Sequence, residues 1–121
     1  MSAKELITKF YDLDFVKDNS VLSFFHDDFK MVWNSSKGVL NYTKNDIDLL
    51  IKDLNRNYHS YQAQVHQILA EGNLVTVRHS IYVTSIERPE KEDVLADFIS
   101  ILEIKDQKIY KINQISQLAD H

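Results

Sequence analysis

Cysteine is absent from this chain, and the two strongest chain breakers are scarce: one proline and two glycines among 121 residues. Without a thiol there is no disulfide framework, no zinc–thiolate site and no cysteine nucleophile. So few breakers predict long elements joined by short connections. An excess of basic residues is also missing, with 14 Lys and Arg against 18 Asp and Glu and a formal net charge of -4. Nucleic-acid binding needs a basic face that displaces phosphate counterions, so no nucleic-acid partner is expected. No apolar run is long enough to span a bilayer, and Met1 to Leu6 lacks the apolar segment of a signal peptide; the expectation is a cytoplasmic protein without a membrane partner. Internal repeats, low-complexity tracts and linkers are lacking too, so residues 1–121 read as a single domain.

What the chain does have is strand-forming sequence. Asn73 to Ile86 contains no Gly or Pro and is dense in β-branched residues, which reads as one long central strand. Val75, Val77, Ile81 and Val83 share one face, Thr76, Arg78, Ser80, Tyr82 and Thr84 the other, and His79 interrupts the apolar face. Before it, Tyr61, Ala63, Val65 and Leu69 alternate with Gln62, Gln64 and His66, and Glu71-Gly72-Asn73 forms a hairpin turn. After it, the charged run Glu87 to Asp93 is a surface loop. Val94 to Ile104 is apolar on both faces, which predicts cover on both sides. Lys105-Asp106-Gln107 turns the chain into a last strand from Lys108 to Leu118.

The helical patterns come earlier. Ser2 and Glu5 have capping-box spacing, and Leu6, Ile7, Phe10 and Tyr11 follow at helical spacing, predicting a first helix to about Val16. Asp18-Asn19-Ser20 caps a short second helix carrying Val21, Leu22, Phe24 and Phe25. Phe29 to Trp33 is extended, Asn34 to Gly38 is a turn with Gly38 in an unusual backbone conformation, and Val39 to Asn41 is a short strand. Thr43 with Asp46 opens a third helix whose apolar stripe is Ile47, Leu50, Ile51 and Leu54. The order predicts an α+β domain, three N-terminal helices packed on one face of a curved antiparallel sheet. Ile99 and Ile101 would then point away from the helices. An exposed apolar patch of that kind marks a partner surface, and a symmetric homodimer through the outer sheet face is expected.

Several segments resemble a known family. Phe25-His-Asp-Asp28 followed by Phe29-Lys-Met-Val-Trp33 is similar to the start of nuclear transport factor 2-like proteins, in particular their SnoaL-like and ketosteroid-isomerase-like branches. Ala70-Glu-Gly-Asn-Leu-Val-Thr-Val-Arg78 resembles a strand of that family, and Leu102 to Ile109 its hairpin, without the usual Gly. The resemblance implies a cone-shaped, cystatin-like roll, usually dimeric, with a pocket between the concave sheet face and the helices. It also implies where catalytic groups would sit. The isomerase base position falls at Trp33, with Asn34 beside it, and the oxyanion-holding acid near Ser100. The oxyanion tyrosine falls at Phe10 or Tyr11, and the cyclase base between Asn113 and Gln117. Acids are missing from three of these positions, and neutral amides cannot replace a carboxylate of raised pKa.

Three functions stay open on this reading. The first is a binding module holding a small apolar organic molecule without converting it, with Trp33, Asn34, His79, Phe98, Ser100 and Gln114 as its contacts. The second is an isomerase, cyclase or hydratase with His79 as base and Tyr11 as donor. The third is a dimerisation or scaffold domain with a filled cavity. Trp33, Tyr11, Phe25, Tyr82 and Phe98 either line an aromatic pocket or pack an ordinary core. His66 could lie across from His79, but two histidines without a third ligand make no metal site, so neither metal nor cofactor is expected. Asp97 sits in an apolar strand and is expected to pair with Arg78 or Arg88.

Overall fold

The computed structural model describes residues 1–119. Its elements run α1 (Ala3–Tyr11), a single 3-10 turn (Val21–Phe24), β1 (Phe25–Ser35), β2 (Gly38–Thr43), α2 (Lys44–Asn57), β3 (Tyr58–Glu71), β4 (Leu74–Ser85), β5 (Glu92–Lys105) and β6 (Lys108–Leu118). The six strands form one curved, unclosed sheet in the order β2-β1-β6-β5-β4-β3. This is the expected α+β layout, with two α-helices and a 3-10 turn where three helices were expected. All neighbours are antiparallel except β1 and β6, which run parallel with Met31 opposite Ile112 and Trp33 opposite Gln114.

Both helices begin where their caps predict. The Ser2 hydroxyl accepts from the Glu5 amide, and at α2 the Thr43 and Asp46 side chains each accept from the other's backbone amide. Helix α1 ends at Tyr11 rather than Val16, and Asp14 is the reason. Its carboxylate accepts from the amides of Val16, Lys17 and Tyr61 at 3.1, 3.3 and 3.2 Å. An interior helical residue offers its side chain no such set of backbone donors. Asp14 therefore turns the chain out of the helix and staples it to β3, where the Phe15 amide donates to the Tyr61 carbonyl.

The central strand has the faces its sequence predicts. Val75, Val77, His79, Ile81 and Val83 are buried toward the helices, and Leu102, Ile104, Ile109 and Ile112 from β5 and β6 join them. Helix α1 covers this layer with Leu6, Ile7, Phe10 and Tyr11. Burying such side chains contributes about 1.5–3 kcal/mol each, which makes this shared core the main reason the sheet holds its curve over the helices.

Strand β3 departs from simple alternation. A bulge between Val65 and Gln67 moves every later side chain to the opposite face. Leu69, expected beside Tyr61 and Ala63, is instead 71% exposed, and Ile68 packs on the core. The extra residue, His66, does not lie across from His79; Val65 does. His66 turns outward and its Nε2 meets the Ser80 hydroxyl at 2.8 Å.

The β5 strand is covered on one side only by this chain. Ile99 and Ile101 point away from the helices at 54% and 46% exposure, and Ile115, opposite Ile99 on β6, is 64% exposed. Asp97 pairs with neither Arg78 nor Arg88. It accepts from the Ser80 hydroxyl on the same outer face, and Arg78 donates to Gln67. The register places Asp97 opposite Ser80 on β4, which puts the hydroxyl within closer reach than either guanidinium.

Candidate ligand cavity

A cavity of about 100 Å³ lies between the concave sheet face and the helices. The two α-helices supply one wall. Phe10 and Tyr11 project from α1, and Ile47, Leu50, Ile51 and Leu54 form the apolar stripe of α2. Of that stripe Ile47 is buried and Leu50, Ile51 and Leu54 are half-buried. The sheet supplies the other wall: Met31 and Trp33 from β1, Tyr61 from β3, His79 and Ile81 from β4, Phe98 from β5, and Ile112 and Gln114 from β6. Phe15 enters from the segment that Asp14 turns out of the helix.

Strand alternation decides which expected contacts reach the hollow. Phe29, Met31 and Trp33 are alternate residues of β1 and face inward, so Asn34 faces out, exposed, and lies outside the cavity. The same rule turns Tyr82 outward between the buried Ile81 and Val83. Ser100 is fully buried but sits behind the lining: its hydroxyl donates to Gln114 Oε1 at 2.9 Å. Trp33, His79, Phe98, Gln114, Tyr11 and Phe25 all line the hollow. The contributions of Phe15 and Tyr61 are not evident from periodicity, because the first lies where the helix was expected to continue and the second reads as ordinary strand core.

The aromatic groups are packed against one another. His79 stacks on Phe98 with ring centroids 5.0 Å apart and planes 5° apart, and the Tyr11 ring lies 4.6 Å from it, tilted by 44°. Trp33 lies 5.9 Å from Phe98, and its indole N–H donates to the Ser116 hydroxyl at 2.8 Å. That bond satisfies a donor that would otherwise be stranded in an apolar wall.

Every titratable group on the lining is held uncharged at neutral pH. His79 is 3% exposed, and burial lowers its pKa to about 4, with the charge of His66 adding to the drop and the Val77 carbonyl opposing it. Burial raises the phenols of Tyr11 and Tyr61 well above their ordinary value, a hydrogen bond with Ser100 offsetting part of the shift at Tyr11. No Asp, Glu, Lys or Arg lines the cavity among the described residues. The described residues also hold no cluster of three His, Asp or Glu that could bind a metal ion. No described helix is long and apolar enough to cross a membrane.

The residues from 8 to 112 match the family model of the SnoaL-like domain. Comparison with curated proteins finds no match. Among solved structures, the chain is similar to wild-type IdmH of Streptomyces antibioticus, a proposed polyketide cyclase, with a TM-score of 0.74 and 16% identity over 96% of this chain and 92% of the other. It is also similar to an LEH-like epoxide hydrolase of M. tuberculosis, with a TM-score of 0.72 and 15% identity over 94% and 81%. A third similar structure is a hypothetical protein of Catenulispora acidiphila with a ketosteroid isomerase-like fold, in complex with trimethylamine. Its TM-score is 0.71, with 13% identity over 91% and 83%. Identities this low carry the likeness of fold and nothing about chemistry.

Proposed function

The chain belongs to the SnoaL-like domain family, and from that premise we propose that it binds a small, largely apolar organic molecule in the cavity between sheet and helices without converting it. One observation carries this reading: the lining has aromatic and aliphatic walls, a few polar atoms, and no group able to take or give a proton readily at pH 7. A general base works best with a pKa near the working pH, and a histidine held at about 4 is a hydrogen-bonding group more than a base. A pocket that excludes charge favours an uncharged guest, because an unpaired ion loses its hydration there. The trimethylamine found in the Catenulispora acidiphila relative supports small-molecule binding on this fold.

An isomerase or cyclase using His79 as base and Tyr11 as donor is the competing reading, favoured by the approach of their rings to 4.6 Å. The depressed histidine and the missing carboxylate weigh against it. A scaffold with a filled cavity is disfavoured by the open volume itself. The binding reading further includes a homodimer, in which Ile99, Ile101 and Ile115 of two copies meet across the outer sheet face.

The test compares wild type with His79→Ala against a panel of uncharged small molecules. Binding is followed by thermal shift and turnover by mass spectrometry. The reading predicts shifts that weaken in the variant and no product in either protein. Product formed by wild type and lost in His79→Ala would establish the enzyme instead.

A further inference from the structure

The size and the free polar atoms of the cavity narrow its guest. An apolar cavity of roughly 150 Å³ holds one benzene ring, so this one, at about 100 Å³, encloses no more than a single ring. Its walls present the flat or edge faces of Trp33, Tyr61, His79 and Phe98, surfaces that pack best on another ring.

One polar group is left for a guest. His79 Nδ1 has no hydrogen-bond partner among the described residues, but it is buried with no surface open to the hollow. Gln114 Oε1 already accepts from Ser100, so the NH2 of the same amide is the group left for the hollow. An oxygen on the guest can accept from that amide. The absence of lining charge, together with the neutral imidazole, excludes a compensated ion of either sign.

We infer that the cavity takes an uncharged, single-ring aromatic molecule carrying one hydroxyl or carbonyl oxygen, which Gln114 recognises. This rests on the binding reading above and sharpens it. Trp33 is the chain's single tryptophan and lines the cavity, so its fluorescence reports occupancy directly.

The experiment titrates wild type with phenol, toluene, 2-naphthol, benzoate and tetramethylammonium, following Trp33 emission. Phenol and toluene are then repeated on Gln114→Leu. Phenol is expected to bind at least about tenfold more tightly than 2-naphthol and both ions, and the phenol-to-toluene affinity ratio to fall about tenfold in the variant. If 2-naphthol or either ion binds as well as phenol, or if the ratio is the same in both proteins, the inference is overturned while the binding reading stands. If no probe moves Trp33 emission, both are overturned. Should Gln114→Leu not fold, the wild-type ranking of the five probes decides by itself.

Discussion

His79 lies flat on Phe98, ring planes 5° apart, in the middle of a strand whose other inward residues are Val75, Val77, Ile81 and Val83. A charged imidazole could not hold that place, since burial and stacking offer it no counter-ion. The structure keeps it neutral, and a neutral ring can serve both as wall and as hydrogen-bonding edge. The first consequence is thermodynamic. The folded pKa of about 4 lies below the ordinary 6.5, so between those values the unfolded chain binds a proton that the folded chain does not. The contribution is fully present above pH 6.5 and is lost as pH falls toward 4. Its full size is on the order of 3–4 kcal/mol, since each pKa unit corresponds to about 1.4 kcal/mol. Urea unfolding at pH 7 and pH 4.5 should therefore show a smaller loss of stability for His79→Phe than for wild type. Equal losses would mean that the imidazole titrates in the native state as it does in water.

Asp14 makes a second prediction. Its carboxylate serves three backbone amides from two parts of the chain, and it is buried. Asp14→Ala leaves those donors without a partner, at a cost of about 2–3 kcal/mol. The melting temperature should drop by roughly 10 °C. A drop of under 2 °C would show that water replaces the carboxylate at this corner.

The β5–β6 hairpin turns through Asp106 and Gln107, both with positive φ, at 54° and 59°. Left-handed backbone costs an L side chain roughly 1 kcal/mol that glycine escapes, and glycine's greater freedom when unfolded returns part of the gain. Gln107→Gly is expected to raise the melting temperature by about 2–4 °C, and Gln107→Val to lower it. The opposite order would show that the turn is not strained.

The outer sheet face gives a prediction about association. Ile99 and Ile115 are cross-strand neighbours, both half-exposed or more, with Ile101 beside them. Wild type should sediment at twice the chain mass at micromolar concentration, and Ile101→Glu should sediment as single chains with an unchanged melting profile at low concentration. A wild-type monomer would remove the dimer from the proposal, leaving the cavity untouched.

Much of this architecture is legible in the sequence because local chemistry and tertiary structure agree. Thr43 and Asp46 announce α2, Gly38 and Gly72 mark the two turns at which φ is 118° and 58°, and the alternation around His79 states which way it points. The misread features have physical causes of another kind. The bulge at His66 adds one residue to one strand, and nothing in the pattern of Val65 and Gln67 marks it. Asp14 also ties the end of its helix to an amide 47 residues away, which no local window contains. The parallel pairing of β1 with β6 depends on where the whole chain returns. Asn34 reads as the start of a turn, but β1 runs on to Ser35, and with Phe29, Met31 and Trp33 inward its side chain leaves the site. His79 is legible because it interrupts an apolar face, the strongest signal in the sequence for the cavity.

The cavity itself admits a direct measurement. Xenon enters dry, apolar hollows and is located without ambiguity by its scattering. A crystal of the wild-type protein pressurised with xenon should show an atom between Trp33, His79, Phe98 and Ile51, with these side chains unmoved. Closed packing across that space, with no xenon bound, would contradict the account at its root.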